Sequence, residues 1–210
     1  MPAWLWRRND GPGRKRSDPR GSDCAPARVA HGWASVLVLE PMSLDEIITD
    51  ILRREGGWTD HPADRGGPTN RGVTLGTLSL YLGRQATIEE LKNLTEADAR
   101  ALYRDLFVIR PGYGTVGNQS LLGLLVDMGV NHGTKQATKM LQRALGVKDD
   151  GVVGGVTRDA IRAADNHNLY AKLCAERARF YGRLITNQPS QAVFAAGWLS
   201  RLAEFIEAAA

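Results

Sequence analysis

The sequence predicts a mainly α fold carrying one small, irregular β-ribbon, and three observations carry that prediction. A capped amphipathic segment opens at Ser43. A Gly-, Pro-, Asp- and Thr-rich stretch from Trp58 to Val73 cannot continue it. Helical periodicity then returns and runs to Glu207, with no long alternating stretch that would build a large sheet.

Ser43-Leu44-Asp45-Glu46 reads as a capping box, in which the Ser hydroxyl and the Glu carboxylate satisfy reciprocal backbone donors. Leu44, Ile47, Ile48, Ile51 and Leu52 follow at i, i+3, i+4, i+7 and i+8, which puts them on one face. Gly56 and Gly57 end the helix and leave Glu55 at its last turn. Thr87-Ile88-Glu89-Glu90 and Thr95-Glu96-Ala97-Asp98 resemble further N-terminal caps, the second opening onto Leu102, Tyr103 and Leu106. Ser120 to Val130 is apolar nearly all round and reads as a buried central helix, while Thr134 to Leu145 is amphipathic and stops at Gly146. Two more helices are expected: Asn168 to Ile185 with Leu169, Leu173, Phe180 and Leu184 inward, and Gln191 to Glu207 with Phe194, Trp198, Leu202 and Phe205 inward.

The 210 residues divide into a basic tail (1–42), a first folded segment (43–118) and a helical segment packed on it (119–207). The tail holds seven of the 27 Lys/Arg, four of the 23 Asp/Glu and five of the nine prolines, so the net charge of +4 belongs mostly to it. Without helical periodicity it cannot bury enough apolar surface to offset the entropy of ordering, and it is expected to be disordered. Trp33 to Leu39 is too short and too late for a cleavable export signal; Met42 is an alternative start. No run of about 20 apolar residues suggests stable membrane insertion. Cys24 and Cys174 make no disulfide framework, and Cys174 is expected to be a small core residue.

The chemistry concentrates in residues 55–74. Cleaving a glycosidic bond takes two carboxyl groups, one protonated to donate to the leaving oxygen and one ionised to activate water or stabilise positive charge on the sugar. Glu55 is placed for the first role. The negative end of its helix dipole disfavours its charged form, and apolar walls from Trp58 and neighbouring helices would raise its pKa further. Asp64 falls in the glycine-rich stretch next to Arg65, where exposed backbone N–H groups and the guanidinium are expected to favour its ionised form. Such separation of two carboxyl groups is the pattern of an acid and its partner. Thr69 can hold the attacking water. Either carboxylate alone reads equally well as an ordinary helix end or turn cap; the pair in a glycine-rich loop favours catalysis. For substrate contacts, Trp58 and Tyr103 offer rings for sugar stacking, and Asn70 and Asn131 offer amides that both donate and accept. His132 reads as structural. His61 with Asp60 and Asp64 lacks further ligands at metal-site spacing, so neither metal nor cofactor is called for.

Glu55-Gly56-Gly57 followed by Pro62-Ala63-Asp64-Arg65-Gly66-Gly67-Pro68-Thr69-Asn70-Arg71-Gly72 resembles the signature of glycoside hydrolase family 108 muramidases. The Glu, Asp, Thr spacing also looks like that of phage-type lysozymes. The resemblance implies a lysozyme-like fold, Glu55 as general acid, Asp64 as second carboxylate and Thr69 as the water-positioning hydroxyl. Asp127-Met-Gly-Val-Asn-His-Gly133, Lys139 to Gly146, Asp150 to Thr157 and Gly197-Trp-Leu-Ser-Arg201 resemble a peptidoglycan-binding segment often fused to this family, with Ser200 where Asn is frequent.

The implied activity is hydrolysis of the β-1,4 bond between N-acetylmuramic acid and N-acetylglucosamine, with peptidoglycan as partner and no nucleic acid. A monomer is expected, made in the cytoplasm and acting in the periplasm or at the wall, with a holin for export if it serves a phage. A non-catalytic wall-binding or secretion-assisting protein and a lytic transglycosylase stay open as alternatives.

Overall fold

The computed structural model describes residues 44–55, 58 and 68–208, with backbone alone at 54 and 55. The expected tail, the Ser43 cap and most of the glycine-rich loop, Asp64 included, lie outside the described residues. Within them the fold is mainly helical, as the sequence predicts. The elements run α1 (Leu44–Glu55), β1 (Thr69–Asn70), β2 (Val73–Thr74), α2 (Leu75–Leu82), α3 (Ile88–Lys92), α4 (Glu96–Arg104), α5 (Gln119–His132), α6 (Thr134–Leu145), α7 (Gly155–Ala163), α8 (Asn166–Asn187) and α9 (Ala195–Glu207).

The apolar stripe of α1 does what its spacing requires: Ile47, Ile48, Ile51 and Leu52 are buried. They face α5, whose Leu121, Leu124, Leu125, Val126 and Met128 are fully enclosed at the centre of the molecule. α1 approaches α5 closely at Gly123, where an added Cβ would overlap Cδ1 of Ile47 and lie 3.1 Å from its Cγ1, so that the Ile47 side chain would have to shift. On its other sides α5 meets α6 and α8, and α8 meets α9. One apolar core therefore extends from Ile47 to Leu202.

The β-ribbon is two residues long on each side, with Thr69 opposite Thr74 and Asn70 opposite Val73. Arg71 and Gly72 form its turn with φ of 52° and 72°. Two successive positive φ angles match the right-handed twist of a hairpin, and a non-glycine residue at the first is uncommon. The two caps expected at Thr87 and Thr95 are both complete capping boxes, closed by Glu90 and Asp98. Between α6 and α7 the chain is organised by Gln142, which is buried. Its Nε2 donates to Asp150 Oδ1 at 2.8 Å, to the Val152 carbonyl at 3.0 Å and to Thr157 Oγ1 at 3.1 Å, while its Oε1 accepts from the Gly151 amide at 2.8 Å.

Two expectations need correction. The last helix starts at Ala195, because Pro189–Phe194 winds as a 3₁₀ segment. Its expected inward residues do face the core: Leu202 is buried, Trp198 and Phe205 are partly buried against it, and Phe194 stacks on Trp198. On α8 the deep positions are Leu169, Leu173, Arg177 and Tyr181, while Phe180 and Leu184 are half-buried. That face recurs every four residues and places a charged side chain in the core. Cys174 is buried as expected, and burial pushes its thiol up to about 11.

Candidate active site

A cleft of about 520 Å³ lies against the C-terminal half of α1. Among the described residues, Thr49, Leu52 and Arg53 of α1 form one wall, Trp58 stands at the edge, and Asn70 and Arg71 of the ribbon, Lys92 at the end of α3, Leu94 after it, and Glu96 and Arg100 of α4 line the rest. Glu55 is the last residue of α1, three residues beyond Leu52. The helix that walls the cleft therefore ends in the residue assigned as acid. Nothing more is described of Glu55, and Asp64 lies outside the described residues.

The ribbon is fixed to the rest of the site by one side chain. Asn70 is buried and its Nδ2 donates to the carbonyls of Leu91 at 2.9 Å and Lys92 at 3.0 Å. These carbonyls lie at the end of α3, where a helix leaves acceptors without intrahelical partners. Asn70 thus holds the ribbon and α3 together while also lining the cleft. Thr69, its neighbour in β1, is buried at 3% exposure and tied into the ribbon opposite Thr74.

The expected sugar contacts separate into two groups. Trp58 is 38% exposed at the cleft edge, with Lys92 Nζ 5.2 Å from its ring centroid. One face of the indole thus already carries a cation. Tyr103 does not serve the role proposed for it: the ring is buried at 1% exposure and stacks on Phe107 with centroids 5.6 Å apart. An aromatic at helical spacing has gone to the core. Asn131 is not among the cleft's lining residues. Its Nδ2 donates to the Asp127 carbonyl at 2.8 Å and to Asp127 Oδ1 at 3.1 Å, which makes it a support for that buried carboxylate.

The sequence reading overlooked the basic rim of the cleft. Arg53 is paired with Asp50 at 2.8 Å and Arg100 with Glu96 at 2.8 Å, and Arg100 Nη2 also donates to Thr49 Oγ1 at 2.8 Å. Arg71 reaches Glu96 only at 3.7 Å. Lys92 has no ion pair among the described residues. The one local signal was Asn70-Arg71-Gly72, a turn sequence that puts an arginine at its tip; Lys92 and Arg100 arrive from helices 20 to 30 residues away, with no motif to mark them.

A buried ionic cluster centres on Asp127 of α5. Asp127 accepts from Arg201 Nε at 2.7 Å and from Arg201 Nη2, and pairs with Arg177 Nη2 at 2.6 Å. Arg201 Nη1 also stands 3.6 Å from Asp50 Oδ2, which links the cluster to α1. Burial by itself would raise the Asp127 carboxyl, but attraction to Arg177 and Arg201 and their hydrogen bonds hold it below the ordinary value. His132 sits beside the cluster, its ring 4.9 Å from Phe180 and 5.4 Å from Tyr181. Desolvation first, and then the Arg177 charge, lower it to about 3, so it is neutral at physiological pH. It is a packing residue, as expected.

Fold and cleft together define a helical protein with a groove walled by a helix that ends in a glutamate. Residues 48–133 match the glycosyl hydrolase 108 family, and residues 136–203 match a predicted peptidoglycan domain. SagA of Brucella abortus has a similar solved structure, with 31% sequence identity and a TM-score of 0.67 over 79% of this chain and 92% of that one. No curated protein matches the chain. The chain belongs to the glycosyl hydrolase 108 family, and as such is a glycoside hydrolase acting on peptidoglycan. The helix α5, which the sequence reading assigned to the second segment, falls within the first match. Among the described residues no helix is long and apolar enough to cross a membrane.

Proposed function

We propose that the protein is an N-acetylmuramidase, hydrolysing the β-1,4 bond between N-acetylmuramic acid and N-acetylglucosamine, with Glu55 as general acid. The observation that carries this reading is the position of Glu55 at the end of the helix whose Thr49, Leu52 and Arg53 wall the cleft. A carboxyl group there lies near the negative pole of the helix dipole, which favours the protonated form an acid needs. In the reaction Glu55 gives its proton to the glycosidic oxygen, which leaves as the 4-hydroxyl of N-acetylglucosamine. Asp64 takes a proton from water, whose oxygen adds to C1 of the muramic acid residue. Thr69 is assigned to orienting that water: it is buried in a ribbon fixed by pairing and by the Asn70 anchor, next to Asn70 and Arg71, which line the cleft. The cationic rim, Lys92 and Arg71 above all, suits a substrate bearing carboxylates.

Mass spectrometry of the products of purified peptidoglycan tests the bond assignment. A muramidase leaves reducing N-acetylmuramic acid ends. Anhydro-muramic ends would instead make the protein a lytic transglycosylase, and reducing N-acetylglucosamine ends would place the cut at the other glycosidic bond.

A further inference from the structure

The described residues that line a second cavity, of about 420 Å³, all belong to the stretch that matches the predicted peptidoglycan domain. It opens between α6, which supplies Lys139 and Arg143, and α8, which supplies Phe180, Arg183, Leu184 and Asn187. Its charges are unequally answered. Arg143 Nε donates to Glu176 Oε2 at 2.8 Å and Nη1 to Asp149 Oδ2 at 2.8 Å, but its Nη2 is buried without a hydrogen-bond partner among the described residues. Lys139 and Arg183 make no ion pair among the described residues, and Asp149 acts on Lys139 only from longer range. Two cations without ion pairs, Lys139 and Arg183, thus line the cavity beside the neutralised Arg143–Asp149 pair, and its apolar wall is Phe180 and Leu184.

The geometry points to this cavity as a carboxylate-binding site for the peptide stems of peptidoglycan. The inference rests on the reading that peptidoglycan is the substrate. Glycan chains present chiefly hydroxyl and acetamido groups, whereas the stems combine carboxylates, amide bonds and short alkyl side chains. Arginine and lysine answer the first of these, the Asn187 amide the second and the Phe180–Leu184 wall the third. The volume is within the ~300–1,000 Å³ common for small-ligand pockets, enough for part of one stem. Because the cavity belongs to the second matched stretch and the α1 cleft to the first, a strand held at both gains from the high effective concentration of the second contact.

The test uses the whole chain and a probe it cannot cleave. The disaccharide N-acetylglucosaminyl-N-acetylmuramic acid carrying a tetrapeptide lacks the bond assigned above, so binding is read independently of Glu55. Calorimetric titration is expected to show wild-type binding that weakens as salt rises, at least about tenfold weaker binding of the same disaccharide without its peptide, and a similar loss in Lys139→Glu/Arg183→Glu with an unchanged melting temperature. Equal binding of the two probes by wild type overturns the assignment to the stems. Wild-type affinity in the double variant, or no binding of the peptide-bearing probe up to millimolar concentration, overturns the site. If these titrations come out as expected while Glu55→Gln still digests peptidoglycan, the cavity stands and the catalytic reading falls.

Discussion

Arg177 Nη2 lies 2.6 Å from Asp127 Oδ2, and both side chains are 1% exposed. The carboxylate belongs to the stretch matching glycosyl hydrolase 108 and the guanidinium to the stretch matching the peptidoglycan domain, so a buried ion pair joins the two. The guanidinium is also stacked between rings, 5.7 Å from the Tyr181 centroid and 5.6 Å from that of Phe205, and its Nε donates to the Tyr181 hydroxyl at 2.9 Å. Removing one partner of such a pair leaves the other charge buried and uncompensated. Asp127→Asn is therefore expected to lower stability by about 3–5 kcal/mol, read from denaturant unfolding. A loss below about 1 kcal/mol would mean that water reaches Arg177.

Stability should fall as pH drops from about 6.5 toward about 3, where His132 has its folded-state pKa. In this window the unfolded chain binds a proton at His132 and the folded chain does not, so the folded state loses ground as pH falls. The lowered Asp127 carboxyl adds to the loss below the ordinary carboxylate pKa and down through its own. Thermal melts of His132→Gln should show a shallower decline between pH 6.5 and 4 than wild type. Parallel curves would remove His132 from the account.

The α1–α5 contact predicts a coupled pair. Gly123→Ala pushes a methyl into Ile47 and should destabilise by about 1–3 kcal/mol. Ile47→Val removes Cδ1 and so makes room, and the double variant should be more stable than the sum of the two single losses implies. Additive effects would show that α1 shifts freely away from α5.

For Asn70 the two roles separate by substitution. Asn70→Asp keeps the shape but loses the donor to the Leu91 and Lys92 carbonyls, and should cost about 1–3 kcal/mol along with activity. An Asp variant as stable as wild type, with only its KM raised, would make Asn70 a substrate contact alone.

Much of this molecule is legible locally. The capping boxes at Thr87 and Thr95, the stripe on α1 and the stop at Gly146 each depend on residues within one or two turns. Helices α2 and α7 were missed for local reasons as well. Leu75–Leu82 is apolar on most sides, so its period is ambiguous, and α7 starts at Gly155 after Gly154 with no side-chain cap. The ion cluster and the basic rim were not legible, because an arginine at a core position looks like a surface residue until its distant partner is placed. The Leu169, Leu173, Arg177, Tyr181 spacing was the available signal. Within the cleft, Trp58 and Asn70 were legible from the loop and turn around them, whereas Tyr103 and Asn131 were chosen for their chemistry and turned out to be occupied by Phe107 and Asp127.

The most direct test of the catalytic account is the digestion rate of purified peptidoglycan by Glu55→Gln, compared with wild type at equal folded concentration. The amide keeps the shape and removes the transferable proton, so the rate should fall by about 10²–10⁴-fold while the melting temperature holds. Turnover within a few-fold of wild type would contradict Glu55 as the general acid.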